Sequence, residues 1–410
     1  MATELKVDGD PAEIGFDADR LGRIDRHFAR YVDDGLLPGW LAVITRHGKI
    51  AHVASAGHRD VEASLPVELD TIWRLYSMTK PVTSVAAMML FEEGAFDLND
   101  PISRWLPEFA EPRVFVKGSA LRPVTVPATE PIRVWHLLTH TSGLTYGFHH
   151  AHPIDAIYRA AGFEWGTPPE LDLASCSEAW ARFPLVFQPG TEWNYSVSTD
   201  VLGRLVEVVS GQSLDDFFAE RIFGPLGMSD TAFWTEDLER LAALYVPAPG
   251  TKRAVRNEPA GVLGTRRPAC LSGGGGLVST AADYHRFTQM LLRGGELDGV
   301  RLLGPRTVRH MASNHLPGNV DLEEFGRQLF AEMPFNGHGF GLGFSVLQDP
   351  IAAKSLSSAG EIAWGGAAST AFWVDPAEDI TALFFTQLLP SSTHPLRQEL
   401  RRLVYQALME

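Results

Sequence analysis

Two cysteines in 410 residues, Cys176 and Cys270, leave no disulfide framework to organise the chain, and both read as reduced thiols. No run approaches the ~18 apolar residues of a membrane span. The first ten residues are polar and carry no apolar leader core, so the expected location is the cytoplasm, with no membrane partner. Positive charge is also short: 35 Lys and Arg stand against 50 Asp and Glu, a net charge of −15. A nucleic-acid partner would want a basic face, so none is expected. Gly-x-Ser-x-Gly, a Walker A loop and a strand-linked Gly-x-Gly-x-x-Gly are all missing, which removes the α/β-hydrolase elbow and the nucleotide-binding loops. His136, His140, His149, His150 and His152 are dense, but no carboxylate or cysteine completes a zinc pattern. A polar loop is the preferred reading, with no metal and no cofactor.

What is present is an ordinary globular composition, 45% hydrophobic and 21% charged, on a chain long enough for one large domain or two. Residues 16–34 read as an amphipathic helix with Leu21, Ile24, Phe28 and Tyr31 on one side. Residues 40–45 and 50–56 read as strands joined by the tight turn Arg46-His47-Gly48-Lys49. From Asp97 to about residue 276, Pro and Gly breaks, long loops and helices dominate, with helices expected at 198–210 and 214–223. Ser213 with Asp216, and Thr280 with Asp283, have the capping-box spacing; the second pair announces a helix that runs to about Arg293 and ends at Gly294. Strands return at 340–347, 370–374 and 381–386, and Pro395 opens a last helix. This order predicts an α+β chain: an antiparallel sheet built by both ends, flanked by helices, and a helix-rich lobe from the middle. The expected division is residues 1–96 with 277–410 as the sheet domain and 97–276 as the helix-rich domain.

The strongest chemical signal is Ser77-Met78-Thr79-Lys80. A Ser and a Lys three apart share a helix face, and a partly desolvated lysine can accept a serine proton. Of the six lysines, only Lys80 follows a serine at this spacing. Val82, Val85, Ala86, Met89 and Leu90 continue as a one-sided stripe that stops at Gly94, which puts Ser77 at a helix N-terminus. Taken alone, the tetrad reads equally well as an N-cap serine and a solvated lysine. Tyr195 follows the Pro189-Gly190 turn and sits on a loop, where a phenol near a lysine can shuttle a proton; packing against Trp193 is the plainer reading. Trp364-Gly365-Gly366-Ala367 precedes the strand at 370, and paired glycines admit close approach of another group to the backbone. A bulge or loose turn is the alternative.

In this order and at these separations the stretches resemble the serine hydrolases of the β-lactamase and penicillin-binding-protein superfamily. The closest resemblance is to the class C β-lactamase-like esterases, or family VIII carboxylesterases, over roughly residues 16–389. Residues 136–144, 189–195 and 273–283, with the four glycines Gly273 to Gly276, support it. The resemblance implies a β-lactamase/transpeptidase-like fold with the active site between the two domains. It makes Ser77 the nucleophile, Lys80 its partner and Tyr195 the tyrosine of a Tyr-x-Asn motif. Trp364-Gly365-Gly366 stands where β-lactamases have Lys-Thr-Gly, so the N–H groups of Ser77 and Ala367 would form the oxyanion hole.

Two departures bear on substrate. Val197 occupies the Asn position and has no amide, and Trp364 with Gly365 replaces the Lys-Thr pair that receives a β-lactam carboxylate. Losing a charge-assisted contact costs about 1.5–3 kcal/mol. The expectation is therefore a carboxylic ester hydrolase acting on small, uncharged esters through an acyl-enzyme on Ser77. Its pocket wall is expected from residues 145–191 and from Phe148, Trp165, Trp234 and Phe340. The rivals are a β-lactamase or D-amino-acid peptidase, an acyltransferase, and a non-catalytic penicillin-sensor-like binding protein. Composition leaves the oligomeric state open.

Overall fold

A computed structural model describes residues 5–327 and 335–409. Its centre is an eight-stranded antiparallel sheet. The N-terminal part supplies β1 (Gly39–Arg46), β2 (Lys49–Asp60) and β3 (Leu65–Pro66). The C-terminal part supplies β4 (His338–Phe340), β5 (Ser345–Leu347), β6 (Ile362–Gly365), β7 (Ala371–Asp375) and β8 (Ile380–Phe385). The strand order is β4-β5-β6-β7-β8-β1-β2-β3, and β1 pairs with β8, so the two ends of the chain meet in mid-sheet. The β1–β2 turn is made by His47 and Gly48, with φ of 53° and 71°, the left-handed pair that two-residue hairpins require.

Both faces of the sheet are covered. Strand alternation sends Trp40, Ala42 and Ile44 to one side, where they meet α1 (Arg23–Asp33) and the last helix; Phe28 lies 4.8 Å from Phe384 and 5.6 Å from Trp40. Leu41 and Val43 face the opposite side, which carries α2 (Thr79–Glu92) and α4 (Ala281–Leu292), with α3 (Ser198–Ser210) behind α2. Gln289 of α4 donates to Thr45 and Thr381 at 3.0 Å, a polar link across a buried interface. The last helix, α5 (Leu396–Tyr405), locks to the sheet through the buried pair Arg401–Glu361 at 2.8 Å.

Four local readings change. The α2 stripe is not one-sided: every residue from Thr79 to Leu90 is buried, because the sheet covers one flank and the helical lobe the other. Residues 340–347 are two strands around a glycine turn, where a Cβ at Gly343 would lie 2.2 Å from Ser84 Oγ. A strand, β6, carries Trp364 and Gly365 themselves, so the paired glycines close a strand rather than merely precede one. The helix expected at 214–223 is regular to Phe218 and then widens into a π-turn over Ala219–Phe223. There the Ser213 hydroxyl faces Asp215 and Asp216 side chains and caps nothing, whereas Thr280 caps α4 by accepting from Asp283 N–H at 3.3 Å. The middle of the chain also holds a hairpin, Arg113–Ser119 with Arg122–Pro127. Cys176 and Cys270 are free and buried. No helix among the described residues is long and apolar enough to cross a membrane.

Candidate active site

Ser77 is delivered by a turn. The short strand Trp73–Arg74 pairs with Val278–Ser279, and a 3₁₀ turn over Tyr76–Met78 then leads into α2. Tyr76 has φ of 48°, a left-handed conformation that costs a bulky residue on the order of 1–3 kcal/mol and that clusters at functional sites. Burial pushes its phenol up to about 12. One turn on, Lys80 is 1% exposed, a solvated surface lysine in no sense. Its Nζ lies 3.3 Å from Ser77 Oγ and donates to the Gly274 carbonyl at 2.7 Å.

Tyr195 joins them from the loop before α3. Its carbonyl accepts from His149 Nε2 at 2.6 Å, and its neighbour Asn194 bonds to His140 O and Leu144 O. The ring, not the hydroxyl, meets Lys80: Nζ is 4.5 Å from the Tyr195 ring centre and 5.4 Å from that of Tyr146. Tyr195 Oη accepts the Trp364 indole N–H at 3.3 Å; none of the described hydrogen bonds joins it to Ser77 or Lys80. The Trp193 ring stacks on Tyr195 at 6.2 Å, so the packing role and the approach to Lys80 coexist.

The dense histidines brace this loop system. His136 Nδ1 accepts from Arg133 N–H, and His152 Nδ1 from Ile154 N–H. His140 is buried between Ser196 and Thr199, and burial, then Lys80, hold its ring well below the usual imidazole range, hence neutral. His150 pairs with Glu164 at 3.3 Å on the surface.

The Gly365-Gly366 pair brings β6 against the Ser77 turn. A Cβ on Gly366 would stand 2.2 Å from the Leu75 carbonyl oxygen, so no side chain fits there. Arg397 of α5 donates to Gly366 O at 2.7 Å and Thr370 O at 3.0 Å, holding the turn that presents Ala367. The N–H groups of Ser77 and Ala367 have no acceptor among the described residues, and both residues line the same cavity.

That cavity measures about 1530 Å³. Of the residues expected at the pocket, Phe148, Trp165, Val197, Trp364, Gly365 and Gly366 line it. Phe148 stacks on Tyr146 at 4.7 Å and on Trp165 at 5.2 Å. Trp234 and Phe340 are not among its lining residues: Trp234 lies against Arg267, and Phe340 packs behind Trp364 at 5.3 Å. Sequence reasoning missed Tyr146, Arg397 and Asp200. Asp200 is a buried carboxyl that accepts from Ser272 Oγ at 2.5 Å and Gly274 N–H at 3.0 Å. Burial pushes it up; Lys80, then the Ser272 hydroxyl, pull it back. The glycine run was the available signal for that neighbourhood, and nothing near Asp200 in the chain marked it.

Comparison with known proteins gives a consistent result. The profile of the family described as Beta-lactamase matches residues 24–406. Protein Rv1367c of Mycobacterium tuberculosis (strain ATCC 25618 / H37Rv) is 40% identical over 363 residues, 87% of this chain and 88% of its own. Esterase EstB of Burkholderia gladioli is 33% identical over 417 residues, 97% of this chain and 98% of its own. Among solved structures, EstCE1, described as a hydrolase with promiscuous acyltransferase activity, superposes with a TM-score of 0.79 at 28% identity, covering 96% of this chain and 99% of that one.

Proposed function

This chain belongs to the Beta-lactamase family, in its esterase branch, and on that premise we propose that it hydrolyses uncharged carboxylic esters through an acyl-enzyme on Ser77. The fold is β-lactamase/transpeptidase-like. We place the site between a sheet domain of residues 1–96 and 277–410 and a helix-rich domain of residues 97–276. The observation that carries the reading is Lys80 Nζ, 3.3 Å from Ser77 Oγ and against the Tyr195 ring, with Ser77 and Tyr195 both lining an aromatic cavity.

In this mechanism Ser77 Oγ attacks the ester carbonyl carbon as its proton passes to the Lys80–Tyr195 pair. Lys80 lies against the Tyr195 ring, so the base role is given to the pair and not to either member. The negative oxygen of the tetrahedral intermediate takes the N–H groups of Ser77 and Ala367. The pair then protonates the departing alkoxide. A water molecule attacks the acyl carbon by the reverse path and regenerates Ser77.

Val197 and Trp364-Gly365 support the uncharged substrate, since neither position offers an amide or a cation to a β-lactam. Size needs a wider reading than the small ester expected from sequence. Ligand pockets usually run to about 300–1,000 Å³, and this cavity is about 1530 Å³. We therefore extend the class to esters with a bulky apolar group on one side. Acyl transfer to an added alcohol is a second reading, favoured by the description of EstCE1 as a hydrolase with promiscuous acyltransferase activity.

The test is hydrolysis of p-nitrophenyl acetate, butyrate and octanoate, with nitrocefin and the Ser77→Ala variant in parallel and with and without an added alcohol. Ester turnover lost in Ser77→Ala supports the reading. Turnover retained in that variant, or nitrocefin preferred over every ester, overturns it.

A further inference from the structure

The four glycines Gly273 to Gly276 have no part in the mechanism above, and a glycine run carries no chemistry of its own. The structure passes them between α2 and α3, where their backbone is gripped from both sides. On the α3 side Asp200, 4% exposed, accepts the Gly274 N–H at 3.0 Å and the Ser272 hydroxyl at 2.5 Å on one carboxylate oxygen. On the α2 side the Gly274 carbonyl accepts from Lys80 Nζ at 2.7 Å, and the Gly273 carbonyl accepts from Thr83 Oγ1 at 2.7 Å. The strap is thus fastened to α2 at two successive carbonyls, one turn apart on the helix.

No side chain fits where it passes. A Cβ at Gly274 would lie 2.4 Å from Asp200 Oδ2, and one at Gly273 would lie 2.9 Å from the Thr199 carbonyl oxygen. The glycines therefore let a backbone amide and a backbone carbonyl of one residue bridge a buried carboxyl to a buried lysine. A buried carboxylate is expensive unless it is hydrogen-bonded and matched by opposite charge. Here Ser272 and Gly274 supply the hydrogen bonds and Lys80 the charge.

We propose that Asp200 is a positioning residue for Lys80. Its carboxylate fixes Gly274, whose carbonyl holds Lys80 Nζ against Ser77 Oγ, and its charge biases the protons of the Ser77–Lys80–Tyr195 cluster. This rests on the esterase reading of the same site. The groups that face Lys80 are Ser77 on the preceding turn, His140 and Tyr146 from the segment after residue 138, Tyr195 from the loop before α3, and Asp200 on α3 itself. His140 is neutral and burial keeps the Tyr146 phenol protonated; at Asp200 burial opposes a charge and Lys80 favours one, so Asp200 is the acid of this group that answers to Lys80.

The experiment compares wild type, Asp200→Asn, Asp200→Ala and Ser272→Ala on p-nitrophenyl butyrate, with kcat, KM, the pH profile of kcat/KM and the melting temperature for each. Asp200→Asn keeps an oxygen that can accept from Gly274 and removes the charge. Losing a negative charge beside the cluster eases the departure of its protons, so the alkaline limb should move to lower pH by about one unit. Asp200→Ala removes the grip as well, and kcat should fall about 100-fold with KM within about twofold, the signature of a displaced reacting group. Ser272→Ala leaves Gly274 untouched and should lower kcat several-fold, which keeps the test alive if both Asp200 variants fail to fold. An Asp200→Asn profile superimposable on wild type overturns the proposal, as does wild-type kcat in Ser272→Ala should the Asp200 variants not fold. If wild type and Ser77→Ala hydrolyse the ester alike, the esterase reading fails and this proposal falls with it. If only the Asp200 result is negative, the esterase reading stands.

Discussion

Lys80 Nζ stands over the face of the Tyr195 ring, 4.5 Å from its centre, while Tyr195 Oη turns to the Trp364 indole. The ring and the hydroxyl of Tyr195 therefore do separable work, and two substitutions separate them. Tyr195→Phe keeps the ring beneath Lys80 and removes the proton-carrying oxygen. Its kcat on p-nitrophenyl butyrate should fall about 10²–10⁴-fold, the usual weight of a positioned acid–base group, with the melting temperature unchanged. Tyr195→Ala also removes the ring from a cluster with Trp193, Phe340 and Trp364, so it should lose activity and melt several degrees lower. Equal kcat in Tyr195→Phe and wild type would remove Tyr195 from the chemistry.

Gly366→Ala tests the oxyanion hole without removing a polar group. The added methyl meets the Leu75 carbonyl oxygen at 2.2 Å, so the turn carrying Ala367 N–H must move away from Ser77. Removing one oxyanion donor costs about 10²–10³ in kcat. A displaced donor should give a loss of about 10–100-fold in kcat at nearly constant KM. Steady-state kinetics beside a thermal melt distinguishes this from global destabilisation.

The Ser77–Lys80 pair was legible from sequence because its geometry is local: three residues on one turn are neighbours in any helix. Most of the sheet was legible from apolar and aromatic runs with turn signals between them; β3 and β6, short and ending in proline and glycine, pass for loops, and β4 and β5 read as one strand. What sequence could not supply is contact between distant segments. The Gly366 approach to Leu75 joins residues nearly three hundred positions apart, and nothing local in either segment encodes it. Asp200 escaped for the same reason: on α3 it reads as an ordinary acidic residue of a first helical turn, and only the packing of α3 against the glycine strap makes it a buried partner of Lys80. Trp234 was misplaced as pocket wall because aromatic content says nothing of which way a loop turns.

Asp283 offers a pH test of stability away from the site. Its carboxyl accepts from Asp230 N–H at 2.7 Å and Thr231 Oγ1 at 2.8 Å, yet burial pushes it up to about 6. An unfolded chain loses this proton near pH 4, whereas the folded one holds it to about pH 6. The folded state thus binds more protons across that window. The contribution of the group is full below pH 4 and is lost as pH rises through 6. Asp283→Asn does not titrate, so its stability relative to wild type should improve between pH 4 and pH 7 by about 2 kcal/mol. Urea unfolding at both values measures this, and a difference independent of pH would refute it.

The aromatic wall should set acyl length. Trp165 is 60% exposed at the cavity mouth, held chiefly by its parallel stack on Phe148 at 5.2 Å and 12°. An exposed indole stacked this way offers its face to an apolar chain, and a long acyl chain on Ser77 is expected to reach it where a two-carbon one does not. Trp165→Ala should therefore raise KM for p-nitrophenyl octanoate by about three- to tenfold, in keeping with the ~0.5–1.5 kcal/mol of an aromatic contact, and leave the acetate constants unchanged. Phe148 lies deeper and also supports Tyr146, itself 5.4 Å from Lys80. Phe148→Ala should accordingly depress kcat for both esters as well as KM discrimination. If both variants alter acetate and octanoate in equal proportion, the wall acts on the catalytic group and not on the substrate, and chain-length selection must lie on the opposite side of the cavity.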